Sequence, residues 1–169
     1  MVFQGLEILC NSPELVEGSS SRYVRLSGLS EPIVDTSYTS VACAWYLPES
    51  FAQSARAWQR KMVEGEVQFL VPGLHVLEFG NVLRTYVRRG ELAADLAREI
   101  YSTHLQAPLQ WEEPVRSTLL DLAMTYQATT YDAAYISLAV HYKVPLLTAE
   151  RTTTPWVVKL GKLVDVVRP

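Results

Sequence analysis

The chain has 169 residues, of which 49% are hydrophobic and 20% charged, and a formal net charge of −3. This suits one ordinary soluble domain able to bury roughly two-thirds of its unfolded surface, and the net acidity argues against an indiscriminate polyanion binder. No run approaches the roughly 20 apolar residues of a membrane span, and Gln4, Gly5 and Glu7 interrupt any leader-like opening, so no membrane association and a cytoplasmic location are expected.

Residues 1–32 hold Pro13, Gly18, Ser19, Ser20, Ser21, Gly28 and Pro32 with no sustained period. They read as a poorly ordered extension, with a local strand around Tyr23 to Leu26, ahead of a domain spanning residues 33–169. Ile33-Val34-Asp35-Thr36-Ser37 reads as the first strand, ending in an acid and two hydroxyls. Thr36 or Ser37 can cap a helix running to about Leu47, packed through Val41, Ala44 and Trp45. Asp35 alone reads first as a turn residue or N-cap. A second helix follows over Phe51 to Val63, and its Arg56, Arg60 and Lys61 suit a solvated face. Val67 to Val71 is an apolar strand stopped by Pro72.

Gly73 to Arg89 reads as a helix with Leu74, Leu77, Val82, Leu83 and Tyr86 as its apolar positions and Gly90 past its end. Glu78 and Asn81 are three apart and share a face. An acid beside a buried seam needs compensation, although a partly exposed surface acid reads equally well. Arg84, Arg88 and Arg89 complement the helix dipole. Glu91 to His104 is a further amphipathic helix, Leu109 to Trp111 a short strand, and Val115 to Gln127 another helix.

Tyr131 to Glu150 is the densest stretch. Tyr131, Tyr135, Leu138 and Tyr142 fall on one helical face, and Thr129 or Thr130 can cap the helix start. That puts Asp132 in the first turn, where a carboxylate meets unsatisfied N–H groups. The helix stops near Pro145, and Pro145 to Thr148 reads as a short buried strand with Glu150 just beyond it. Pro155 to Leu160 and Leu163 to Val167 supply a last helix and strand. Strands alternating with helices predict an α/β fold, a small doubly wound parallel sheet flanked by helices.

Few chemistries have their parts here. There is no G-x-G-x-x-G, no Walker lysine motif and no G-x-S-x-G elbow. Cys10 and Cys43 lack metal spacing, and Cys43 reads as a small buried hydrophobe. His75, His104 and His141 lie on separate predicted helices and read as surface or interhelical residues. What remains are carboxylates at element ends: Asp35, Glu78, Asp132 and Glu150. Clustered acids repel and raise one another's pKa unless hard cations intervene, and Mg²⁺ binds through one or two carboxylates plus substrate phosphates. The residues after Pro32 carry 14 acids and 13 bases, so setting those four acids aside leaves 10 acids against 13 bases. That remainder is mildly basic and compatible with nucleic acid. Metal-dependent phosphodiester hydrolysis follows as the expectation.

Ile33-Val34-Asp35-Thr36-Ser37, Leu77-Glu78-Phe79-Gly80-Asn81-Val82-Leu83, Tyr131-Asp132-Ala133-Ala134-Tyr135 and Leu146-Leu147-Thr148-Ala149-Glu150-Arg151 resemble, in order, the motifs of PIN-domain ribonucleases, most of all VapC-type toxins. The resemblance covers Ile33 to the C-terminus. It implies a PIN-like fold, Mg²⁺ or Mn²⁺ dependence, cleavage of an RNA substrate, a homodimer and a cognate antitoxin. It further implies that Asp35, Glu78 and Asp132 ligate metal, that Thr36 or Ser37 supports metal or water, and that Asn81 orients its neighbours. Glu150 departs from the family, whose motif usually reads Thr-Ala-Asp. One extra methylene displaces its carboxylate by more than an ångström, so Glu150 is expected to bind as a fourth ligand, through water, or to weaken the site. The alternative is a catalytically weak PIN-like module that binds RNA or protein. A receiver-like domain fits less well, since Thr148 and Glu150 stand where such a site needs a lysine.

Overall fold

Val67–Val71 (β2) pairs parallel with Ile33–Ser37 (β1), and the resulting core strands organise everything else. A computed structural model of the chain describes residues 33–169, with side chains from Tyr38 onward; the expectations for residues 1–32, Cys10 among them, lie outside that range. Gln110–Trp111 (β3), Leu146–Thr148 (β4) and Val164–Val166 (β5) complete a five-stranded sheet of order β3-β2-β1-β4-β5. Every pairing in it is parallel. The fold is therefore α/β, as expected from the alternation of strand and helix patterns.

The helices are Thr39–Cys43 (α1), Ala52–Val63 (α2), Leu74–Arg88 (α3), Ala94–Leu105 (α4), Leu119–Tyr126 (α5), Thr130–Tyr142 (α6) and Pro155–Leu160 (α7). Among the described residues none is long and apolar enough to cross a membrane. Thr36 pairs with both Leu70 and Leu146, so those two side chains share one sheet face, while Phe69, Val71 and Leu147 point to the other. Two apolar clusters follow this division. One joins Val67, Phe69, Val71 and Leu147 to α1, α2, α3 and α4. The other joins Leu146 to Tyr135, Ile136 and Ala139 of α6 and Trp156, Val157 and Leu160 of α7. Strands buried on both faces explain why β2 and β4 are apolar runs and not alternating patterns.

Three helix starts differ from expectation, each for a local reason. Helix α1 begins at Thr39, since Ser37 still pairs with Leu147 and Tyr38 N donates to Leu147 O at 3.0 Å. The strand continues past the residues expected to cap, and the helix ends at Cys43, not Leu47. Helix α4 begins at Ala94, not Glu91, because Gly90 takes φ +73° and Ala93 is still extended. Helix α5 begins at Leu119 because Val115 N donates to Ser137 Oγ at 3.1 Å and a 3-10 turn spans Arg116–Thr118. Gly80 lets α3 and α4 approach: a Cβ there would lie 3.3 Å from the Tyr101 ring.

Candidate active site

The chain runs from β1 outward to β2 and β3, then returns to β4 and β5 on the other side of β1. Strand order thus reverses between β1 and β4. In open α/β sheets the crevice beyond the carboxyl ends of such neighbours is where ligands bind. Tyr38 and Thr39 are the first residues past β1, and Ala149 and Glu150 the first past β4.

Asp132 enters this region from the first turn of α6. Thr129 is the N-cap: its Oγ accepts from Asp132 N at 3.0 Å, while Asp132 Oδ2 accepts from Thr129 N at 3.1 Å and Thr129 Oγ at 2.8 Å. This reciprocal box satisfies the helix start and fixes the carboxylate's orientation. The other oxygen, Oδ1, accepts from the Tyr38 hydroxyl.

Glu78 arrives from α3. Its Oε2 accepts from the Thr39 hydroxyl at 2.8 Å and from the Tyr135 hydroxyl at 2.6 Å. Thr39 and Tyr135 oxygens lie 2.6 Å apart, and His75 Nδ1 lies 3.2 Å from Thr39 Oγ1. Behind them His75 Nε2 and His104 Nε2 are 2.9 Å apart, joining α3 to α4. Thr39, His75, His104 and Tyr135 are all buried. The tyrosines also link the two acids, because the Tyr38 and Tyr135 rings stack with centroids 4.3 Å apart, and Tyr38 stacks on Trp156 at 5.5 Å.

Protons can be assigned along this chain. Burial first, and the neighbouring carboxylates second, push the Tyr38 and Tyr135 phenols far above their usual range. Both therefore stay protonated and donate to the acids they touch. Burial lowers His75 to about 3, with His104 adding to the effect, and lowers His104 to about 4. A neutral pair sharing two Nε2 atoms needs one donor and one acceptor. With the Thr39 proton on Glu78, His75 Nδ1–H would donate to Thr39 and His104 Nε2–H to His75. His104 Nδ1 is then a buried acceptor, and it has no partner among the described residues. A continuous run of hydrogen bonds extends from His104 to the Glu78 carboxylate.

The remaining predicted residues are placed as follows. Asp35 is mid-β1, paired with Phe69; Thr36 pairs with Leu70 and Leu146, and Ser37 with Leu147. Asn81 is exposed on α3, and its backbone carbonyl accepts from Thr85 Oγ1 at 2.8 Å. Glu150 is exposed beyond β4, its N donating to Thr148 Oγ1 at 3.1 Å and its Oε2 accepting from Thr154 at 3.3 Å. The structure thus links Glu78 and Asp132 through two tyrosines, and among the described residues neither Glu150 nor Asn81 forms a hydrogen bond with either acid. Among the described residues no three His, Cys, Asp or Glu side chains form a metal-holding group. The donor chemistry nevertheless fits a hard divalent cation, which takes oxygen ligands from one or two carboxylates. Glu78 and Asp132 are both half-buried oxygen donors at the sheet's carboxyl edge.

Sequence reasoning did not find Tyr38, Thr39, Tyr135 or the paired histidines as parts of the site. The common face expected for Tyr131, Tyr135, Leu138 and Tyr142 also divides: Tyr131 is 63% exposed while Tyr135 is 0%. Residues Ala133 to Ala139 are buried without interruption, so α6 has no single apolar side for spacing to reveal. A tyrosine three residues after an acid in such a helix was the available signal.

No protein-family model matches the chain, and no curated protein matches it. Among solved structures it is similar to the crystal structure of PAE2754 from Pyrobaculum aerophilum, with a TM-score of 0.58 and 20% identity, over 80% of this chain and 91% of that one. Likeness at this identity speaks for an α/β fold.

Proposed function

We propose that the chain is a metal-dependent endoribonuclease with a doubly wound PIN-like domain, acting in the cytoplasm as the toxin of a type II toxin–antitoxin pair. The reading rests on one observation above the others. Glu78 and Asp132, 54 positions apart on α3 and α6, are held by the hydroxyls of two stacked tyrosines: Tyr38, just past β1, the strand that carries Asp35, and Tyr135 on α6. Bound Mg²⁺ or Mn²⁺ would lower the pKa of its water and stabilise charge in an in-line displacement at an RNA phosphate. Glu78, Asp132 and Asp35 hold the cation, with Glu150 as a fourth carboxylate and the Thr36 or Ser37 hydroxyl in support. Asn81 orients its neighbours. Tyr38 and Tyr135 keep their protons, so they brace the acids and neither serves as a general base. The products are a 5′-phosphate and a 3′-hydroxyl. A homodimer and a cognate antitoxin complete the reading.

A second reading, a PIN-like module that binds RNA or a partner protein without cutting, draws on two other observations. Both oxygens of Asp132 already accept hydrogen bonds, and Glu150 is turned to Thr154. Incubating purified protein with a mixed structured RNA under Mg²⁺, Mn²⁺ or EDTA separates the two. Metal-dependent cutting that is lost in Asp132→Asn is the expected result. RNA binding without cleavage under any metal would transfer the assignment to the binding module.

A further inference from the structure

We propose that Thr39 and Tyr135, braced from behind by the buried His75–His104 pair, are positioning residues that fix the Glu78 carboxylate for metal binding. The inference rests on the functional reading above and adds residues to its site. Glu78 Oε2 takes two hydroxyl donors, at 2.8 and 2.6 Å, while Oε1 takes no part in these contacts. One oxygen is thereby pinned, and among the described residues the other accepts no hydrogen bond, so Glu78 is set up to bind a cation through a single oxygen. A glutamate side chain on a helix otherwise samples several rotamers, and ordering it at the moment of binding costs affinity. The two donors come from α1 and α6, and His75 from the same helix as Glu78. Donors from two other elements thus converge on one carboxylate oxygen, and the helix that carries Glu78 braces one of them through His75. The pinning groups are themselves buried: Thr39 is 4% exposed, and Tyr135, His75 and His104 are 0% exposed. Partners of this kind behind a metal-ligating carboxylate are worth about 10- to 100-fold in metal affinity or activity.

The test is Mn²⁺ binding to the full chain by titration calorimetry, with fold followed by near-UV circular dichroism. Tyr135→Phe removes one donor and keeps the ring that stacks on Tyr38; Thr39→Val removes the other, and Thr39→Ser restores a hydroxyl. The expected outcome is a Kd for Mn²⁺ weakened about 10- to 100-fold in Tyr135→Phe and Thr39→Val, with Thr39→Ser close to wild type and all spectra native. A purely structural role would lower stability in both Thr39 variants without this rescue of affinity. Wild-type affinity in a folded Tyr135→Phe, or a Thr39→Ser no better than Thr39→Val, would overturn the positioning role and leave the nuclease reading standing. If Tyr135→Phe does not fold, the Thr39 pair decides alone. A wild type that binds Mn²⁺ no better than Asp132→Asn would remove the functional reading, and the positioning role with it.

Discussion

Burial at His75 and His104 sets how the molecule meets acid. Both rings are held neutral in the folded chain, at about 3 and about 4, against an ordinary value of 6.5. Well above pH 6.5 neither folded nor unfolded histidine carries a proton, and the pair imposes no protonation penalty. As pH falls from about 6.5 toward 3 to 4, the unfolded chain takes up protons that the folded chain refuses, so stability declines across that window. The urea midpoint is therefore expected to fall between pH 7 and pH 5, and to fall less in His104→Gln; equal slopes in the two proteins would refute this. The interhelical reading of these histidines from sequence holds for His75 and His104, while His141 is exposed. Their mutual contact was not legible, because 29 residues and a helix turn separate them and no short spacing links them. Cys43 was legible as a small buried hydrophobe, since small apolar neighbours surround it in sequence. Burial pushes its thiol up to about 12, so in a Cys10→Ser background it should resist a thiol reagent until denaturant is added.

Helix α6 joins a folding signal to a chemical one. The Thr129–Asp132 box makes Asp132 a structural residue as well as a candidate ligand. Asp132→Ala should therefore lower stability by about 1 kcal/mol, whereas Asp132→Asn keeps an accepting oxygen and should lose less than half of that, read from urea midpoints. At the other end Lys143 closes the helix in the left-handed region at φ 57°. A side chain there carries a steric cost that glycine avoids, so Lys143→Gly should gain about 0.5–1 kcal/mol. Elements with strong punctuation were readable: Pro72 after β2, Gly90 after α3, and the proline at the start of α7 mark ends that the structure keeps. The starts of α1, α4 and α5 were not, because each depends on a strand register, a backbone angle or a long-range hydrogen bond that local composition does not carry.

At the scale of the whole molecule, the sheet is held by two apolar clusters that need no ligand. Chelation should therefore leave the fold intact. Added Mn²⁺ at 100 times its Kd should stabilise it by about 2.7 kcal/mol, a rise in Tm of roughly 5–11 °C, and Asp132→Asn should abolish that rise. The α/β architecture was readable because parallel strands buried on both faces announce themselves as short apolar runs between helices. Of the candidate acids, spacing alone could nominate Glu78 and Asp132 but not show that they meet through Tyr38 and Tyr135, since stacking brings together residues 97 positions apart. The unbroken burial of Ala133 to Ala139 has one more consequence. In a saturation scan of every position, this helix would form a band where even an added methylene is rejected and loss of fold masks loss of activity. Within that band the Tyr135 and Ser137 hydroxyls, and beside it the Asp132 carboxylate, can be altered with little change in volume; Ser137 serves the α5 start while Tyr135 and Asp132 belong to the candidate site, so those last two positions are where selection for activity and selection for folding would come apart.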